Sequence, residues 1–113
     1  MNFNDAKAQI EKIYKCQQVG NDILEINVQK LLNPFNFMFI CLFNDGDKLM
    51  LSDMAETADI FYDKTEAYFI EKGLKYNVNF NEWHYEKEYH SFADLDAFIK
   101  LLTEISEEVS DEA

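Results

Sequence analysis

Apolar and polar positions alternate along this chain with two periods, one helical and one extended. Ala6, Ile10, Ile13 and Tyr14 recur at helical spacing behind Asn4, a capping residue, which predicts a helix over 5–17. Val19-Gly20-Asn21-Asp22 reads as a turn. Leu24, Ile26 and Val28 then alternate with Glu25, Asn27 and Gln29, the pattern of a half-buried strand. Asn33-Pro34 interrupts the chain before FNFMFICLF, residues 35–43, which is apolar on both faces and predicts a central strand covered on both sides. Asn44-Asp45-Gly46-Asp47 carries an Asp-Gly hairpin signal, and Leu49-Met50-Leu51 is the return strand.

Past the hairpin the helical period resumes. Ser52 or Asp53 is placed to cap a short helix ending near Tyr62, with Asp53 and Glu56 at capping-box spacing. A second helix is expected from Asp63 or Thr65 to Gly73, a residue suited to the position just past a helix end. Residues 75–80 and 83–90 read as strands. Ser91, with Asp94 three residues on, caps a final helix whose apolar stripe is Leu95, Phe98, Ile99, Leu102, Ile105 and Val109. The acidic tail 110–113 is expected to fray. The order is α-β-β-β-α-α-β-β-α in one domain spanning 1–113. It predicts an α+β fold, an antiparallel sheet of about four to five strands with helices packed against it.

Composition adds a core and a charge. Hydrophobic residues make up 48% of the 113 and aromatics 15%, enough to exclude disorder from poor hydrophobicity. The formal net charge is −12, and arginine is absent. The imbalance lies in the second half: residues 1–50 carry −1 and residues 51–113 carry −11. Such a field repels nucleic acid and anionic membrane and attracts basic surfaces; solubility alone is the plainer explanation. Cys16 and Cys41 lack CxxC spacing, which argues against a disulfide scaffold or a structural zinc. The first residues, MNFNDAKAQIEK, lack the basic-then-apolar pattern of a signal peptide, and the apolar run Phe37 to Phe43 is too short to span a bilayer, so a cytoplasmic protein is expected.

The stretch Pro34-Phe35 through Thr57 resembles the signature of an uncharacterised family of small bacterial and prophage domains. In that family a proline precedes an aromatic strand, a hairpin follows, and a Leu-Ser/Thr-Asp-x-Gly-Glu-Thr box opens a helix. The matching positions are Pro34, Phe35, Asp45, Gly46, Leu51, Ser52, Asp53, Glu56 and Thr57; Ala55 stands where the family has glycine. The likeness covers residues 30–75 and implies an α+β domain linked to mobile elements, with no established activity.

Three constellations are candidates for chemistry. Asp45-Gly46-Asp47 resembles half of a calcium loop, but the next EF-hand positions fall on Leu49 and Met50, so a hairpin turn explains it without a ligand. Glu82, His84, Glu86, Glu88 and His90 would share one face of a single strand, yet a flat strand rarely converges three ligands on one ion, and no metal or other cofactor is expected. Asp53, Glu56, Asp59 and Asp63 recur at helical spacing on one face. Asp53 and Glu56 suit a helix N-terminus; Asp59 and Asp63 gain nothing there, and a row of like charges costs a few tenths of a kcal/mol per pair. No nucleophile elbow, Walker loop or Rossmann fingerprint occurs, so no enzyme is expected.

The reading that follows is an acidic, phage- or mobile-element-encoded inhibitor. It would occupy the basic surface of a nucleic-acid-binding host defence protein, such as a restriction or CRISPR effector, by charge mimicry. Its partner-binding residues would be Asp45, Asp47, Asp53, Glu56, Asp59 and Asp63, with no direct contact to nucleic acid or membrane. The alternative is a structural or assembly module, a homodimer or a phage or toxin–antitoxin component, whose charge serves solubility.

Overall fold

The computed structural model describes residues 1–33, 36–54, 64–78 and 82–112. The first element is helix α1 (Phe3–Glu11). Its cap is Asn2, whose side chain accepts the Asp5 N–H at 2.8 Å while the Asp5 carboxylate accepts the Asn2 N–H at 3.2 Å. Phe3, Ala6 and Ile10 form its buried face. The helix stops short of the predicted end at residue 17: Lys15–Val19 is a strand, β1. Ile13, a member of the predicted helical stripe, is 64% exposed. Hairpin pairing with the next strand, through the turn at Gly20, outweighs the helical period here.

Gly20 turns the chain with φ +73° into β2 (Ile23–Asn33), which is followed by β3 (Asn36–Asp45) and β4 (Lys48–Ser52). With β7 (Glu86–Glu88) these strands form a five-stranded antiparallel sheet in the order β1-β2-β3-β4-β7. The β3–β4 hairpin forms as the Asp-Gly signal predicts. Asp45 sits opposite Lys48, and Gly46 has φ +64°, the left-handed value that a two-residue hairpin turn asks of its first central residue. Within β2 the register shifts between Asn27 and Leu31, where Gln29 has φ +62° and donates its N–H to Asn27 Oδ1 at 2.8 Å.

Alternation sorts the sheet into two faces. Leu24, Ile26 and Val28 of β2, Met38, Ile40 and Leu42 of β3, and Leu49 and Leu51 of β4 are buried. They share one core cluster with α1 and with the final helix, α3 (Phe92–Glu112). That helix buries Leu95, Phe98, Ile99, Leu102 and Ile105, the predicted stripe. It runs to Glu112. The expectation that the aromatic strand is covered on both faces fails. On the outer face of the sheet Phe37 is 52% exposed, Ile23 is 39% exposed, and Phe39, Cys41 and Phe43 are half-buried.

Between β4 and β7 lies a smaller unit. Thr65 caps helix α2 (Glu66–Glu71) by accepting the Tyr68 N–H at 3.2 Å. Gly73, with φ +92°, closes the helix as predicted: its N–H reaches Ile70 O at 3.0 Å and that of Leu74 reaches Phe69 O at 2.9 Å. The buried Phe69 and Leu74 supply the apolar contact that accompanies such an ending. Next come β5 (Lys75–Asn77) and β6 (Glu82–His84), paired in a separate two-stranded sheet. Trp83 ties that sheet to α2, its ring centroid lying 5.8 Å from Phe69 and 5.3 Å from Tyr76. The predicted strand 83–90 is thus two strands in two sheets, broken at Tyr85, whose ring packs edge-on against Phe98 at 4.6 Å. The predicted helix from Ser52 to Tyr62 lies mostly outside the described residues.

Candidate partner-binding surface

The acidic residues of the predicted site fall into three groups. Asp45 and Asp47 are exposed on the β3–β4 turn. The β1–β2 turn ends at the same edge, because Ile23 pairs with Phe43, and it places the exposed Asp22 beside them. Asn21, Asp22, Asn44 and Asp47 line one shallow hollow with the first residues of the chain. Glu56, Asp59 and Asp63 lie outside the described residues.

Asp53 is a correction. It is 1% exposed and so contributes nothing to a charged surface. Its Oδ1 accepts the Tyr85 N–H at 2.9 Å and its own N–H donates to Tyr85 O at 3.2 Å, which extends the β4–β7 ladder by one step. The carboxylate satisfies a backbone donor at the point where the chain passes from one sheet to the other. Beside it, Ser52 is 3% exposed and its Oγ accepts the Met54 N–H at 3.0 Å, holding Met54 at φ +54°. The Ser-Asp pair of the resemblance is a backbone fastening. The spacing that matched Asp53 to a helix cap could not also show this partner 32 residues away; the helix itself lies mostly outside the described residues.

The histidines and their neighbouring acids do not converge. His84 Nε2 lies 3.4 Å from Glu86 Oε1, while His90 Nε2 lies 2.7 Å from Glu88 Oε2. His84 is mostly enclosed, its side chain 14% exposed, with Nδ1 buried and without a hydrogen-bond partner among the described residues. The side chain of His90 is 71% exposed. The two pairs are separate contacts, and the described residues hold no group of three or more His, Cys, Asp or Glu placed to bind a metal ion.

A cleft of about 380 Å³ opens between the outer face of the sheet and β6. Its apolar side is Ile23, Cys41, Phe43 and Met54; Ser52, Glu82, His84 and Glu86 form the other, and Asp22 and Asn44 close one end. The pattern hid this cleft, because it draws on β2, β3, β4 and β6 at once. Asp22 borders both this cleft and the hollow at the turns, so the exposed acids of the two regions adjoin.

Elsewhere carboxylates serve local structure. Asp94 accepts the His90 and Ser91 N–H groups at 2.7 and 3.1 Å and lies 3.8 Å from Lys87 Nζ. Those backbone bonds, led by that from His90, hold its pKa below the usual carboxylate range against an opposing effect of burial. Lys7 and Glu11 pair along α1 at 3.4 Å. Neither cysteine is in a disulfide. Burial, and secondarily Glu11, push the Cys16 thiol up to about 11, the opposite of what a nucleophile requires. None of the described helices is long and apolar enough to cross a membrane. Set against protein-family models, curated proteins and solved structures, the chain matches none of them.

Proposed function

We propose that the protein is an acidic protein-binding inhibitor, encoded by a phage or another mobile element, that occupies the basic groove of a nucleic-acid-binding host defence protein by charge mimicry. The observation that carries this reading is the placement of acids at one end of the sheet. Asp45, Asp47 and Asp22 stand on two adjacent turns, and Glu82 and Glu86 continue from Asp22 along the neighbouring cleft. A chain of formal charge −12 presented to a groove built for phosphates meets the electrostatic term that normally rewards nucleic acid. The likeness of residues 30–75 to a prophage family supports the origin.

The test is competition. The chain should displace DNA from a restriction or CRISPR effector, with displacement weakening by about tenfold or more between roughly 50 and 200 mM salt. Reversing Asp22, Asp45 and Asp47 together to lysine should abolish it. A triple variant that competes as well as the wild type sinks the proposal. Asp53 is unsuitable for this test, since its reversal would place an ammonium in a buried site.

A second reading, an assembly module whose charge serves solubility, is favoured by the apolar outer face with Phe37 52% exposed. Self-association that strengthens with salt, measured by sedimentation, would support it over mimicry.

A further inference from the structure

We infer that the cleft between the outer sheet face and β6 receives an apolar side chain of the partner that is flanked by lysine or arginine. The inference rests on the proposed binding to a basic protein and names what that partner brings to this place. The floor is built by register: Ile23 lies opposite Phe43, and Cys41 is two residues from Phe43 on the same face. Sheet pairing therefore fixes an apolar surface that water reaches, Ile23 being 39% exposed. A volume of about 380 Å³ is more than one large side chain fills, and it falls at the low end of the range of ligand clefts.

The rim decides the class of occupant. Its charged residues are Asp22, Glu82 and Glu86, and no lysine lines it among the described residues. An anion is repelled, which excludes a nucleic acid strand or an acidic peptide. A purely apolar segment fits the floor but leaves the three carboxylates uncompensated. A second copy of this chain brings another −12 of formal charge. An apolar residue between basic ones satisfies floor and rim together.

The experiment uses the full-length chain labelled with ¹⁵N and two pentapeptides, Lys-Lys-Leu-Lys-Lys and Lys-Lys-Ser-Lys-Lys, followed by amide shifts. The leucine peptide should move Ile23, Cys41, Phe43 and His84 and bind roughly tenfold more tightly than the serine peptide. Cys41→Phe, which fills the cleft, should remove that preference. If this variant does not give a folded spectrum, the double variant E82Q/E86Q is to weaken both peptides while the preference for leucine remains. Equal binding of the two peptides, with shifts confined to the turns at Asp22, Asp45 and Asp47, overturns the cleft and leaves the charge reading standing. No shift with either peptide overturns the cleft; a continued salt-sensitive competition for the effector would then show that the wider reading survives without it.

Discussion

Replacing Asp53 by alanine tests the central structural correction. Asp53 Oδ1 accepts the Tyr85 N–H at 2.9 Å from a position 1% exposed. A hydrogen bond to a charged acceptor contributes about 1.5–3 kcal/mol, and the truncated variant strands a partly buried N–H at similar cost. The two overlap, so the expected loss is about 2–4 kcal/mol. For a chain of 113 residues the unfolding entropy is roughly 0.24 kcal/mol/K, which converts that loss into a fall in Tm of about 8–17 °C. The effect should spread, because Tyr85 also carries the ring that packs on Phe98. Asp53→Asn keeps an acceptor in place and should lose about half as much or less. Asp45→Ala, on an exposed turn, should stay within about 0.5 kcal/mol. The assay is urea and thermal unfolding followed by circular dichroism. If Asp53→Ala loses under about 0.5 kcal/mol, the bond is not holding the two sheets together. If Asp53→Asn loses as much as alanine does, the negative charge and not the acceptor geometry is what matters there.

Three further outcomes follow from named contacts. Asp94 has a depressed folded-state pKa, so its contribution is fully present above the unfolded carboxylate value, about 3.9, and is lost as pH falls through the lower folded value; Asp94→Asn should flatten that acid limb and cost about 1 kcal/mol at pH 7, read from unfolding at several pH values. Gln29 holds φ +62° with an exposed side chain, and Gln29→Gly should raise stability by about 0.5–1 kcal/mol, whereas Gln29→Val should lower it, both measured by urea midpoint. The Cys16 thiol, pushed up to about 11, should be about 0.1% thiolate at pH 8; in a Cys41→Ser background its reaction with a disulfide reagent should quicken about tenfold per pH unit up to pH 10, and a fast reaction at pH 8 would contradict the burial argument.

The legible parts of this fold are those whose determinants are close in sequence. The α3 stripe, the α2 ending at Gly73 and the β3–β4 turn at Gly46 each depend on residues within a few positions of one another, and each forms as the pattern predicts. Lys15–Val19 is different, since its pairing with Ile23–Asn27 makes it a strand although Tyr14 and Ile13 continue a helical period. The split at Tyr85 is likewise set from a distance, by Asp53 on one side and Phe98 on the other. For the site, the exposed turn acids Asp45 and Asp47 were readable, because a hairpin tip projects its residues into solvent whatever lies beneath it. Asp22 was not singled out, and Glu82 and Glu86 entered only as members of a candidate metal cluster, because only the fold brings these acids to one cleft.

Burying Asp53 sharpens the charge argument more than it weakens it. Asp5 and Asp94 hold backbone N–H groups, Glu11 pairs with Lys7, and Asp53 bridges two sheets, so each of these carboxylates has a local structural reason to be acidic. Asp22 and Asp47 have a weaker one, since asparagine or serine would serve a turn as well, while Asp45 faces Lys48 across the hairpin. Placing three like charges on adjacent turns costs stability through their mutual repulsion, modestly in water and more at low salt. Solubility requires net charge but not three carboxylates on neighbouring turns, where they also meet the open cleft bounded by Glu82 and Glu86. A cationic partner is the one circumstance in which that repulsion is returned as attraction, and the salt dependence of competition measures that return directly.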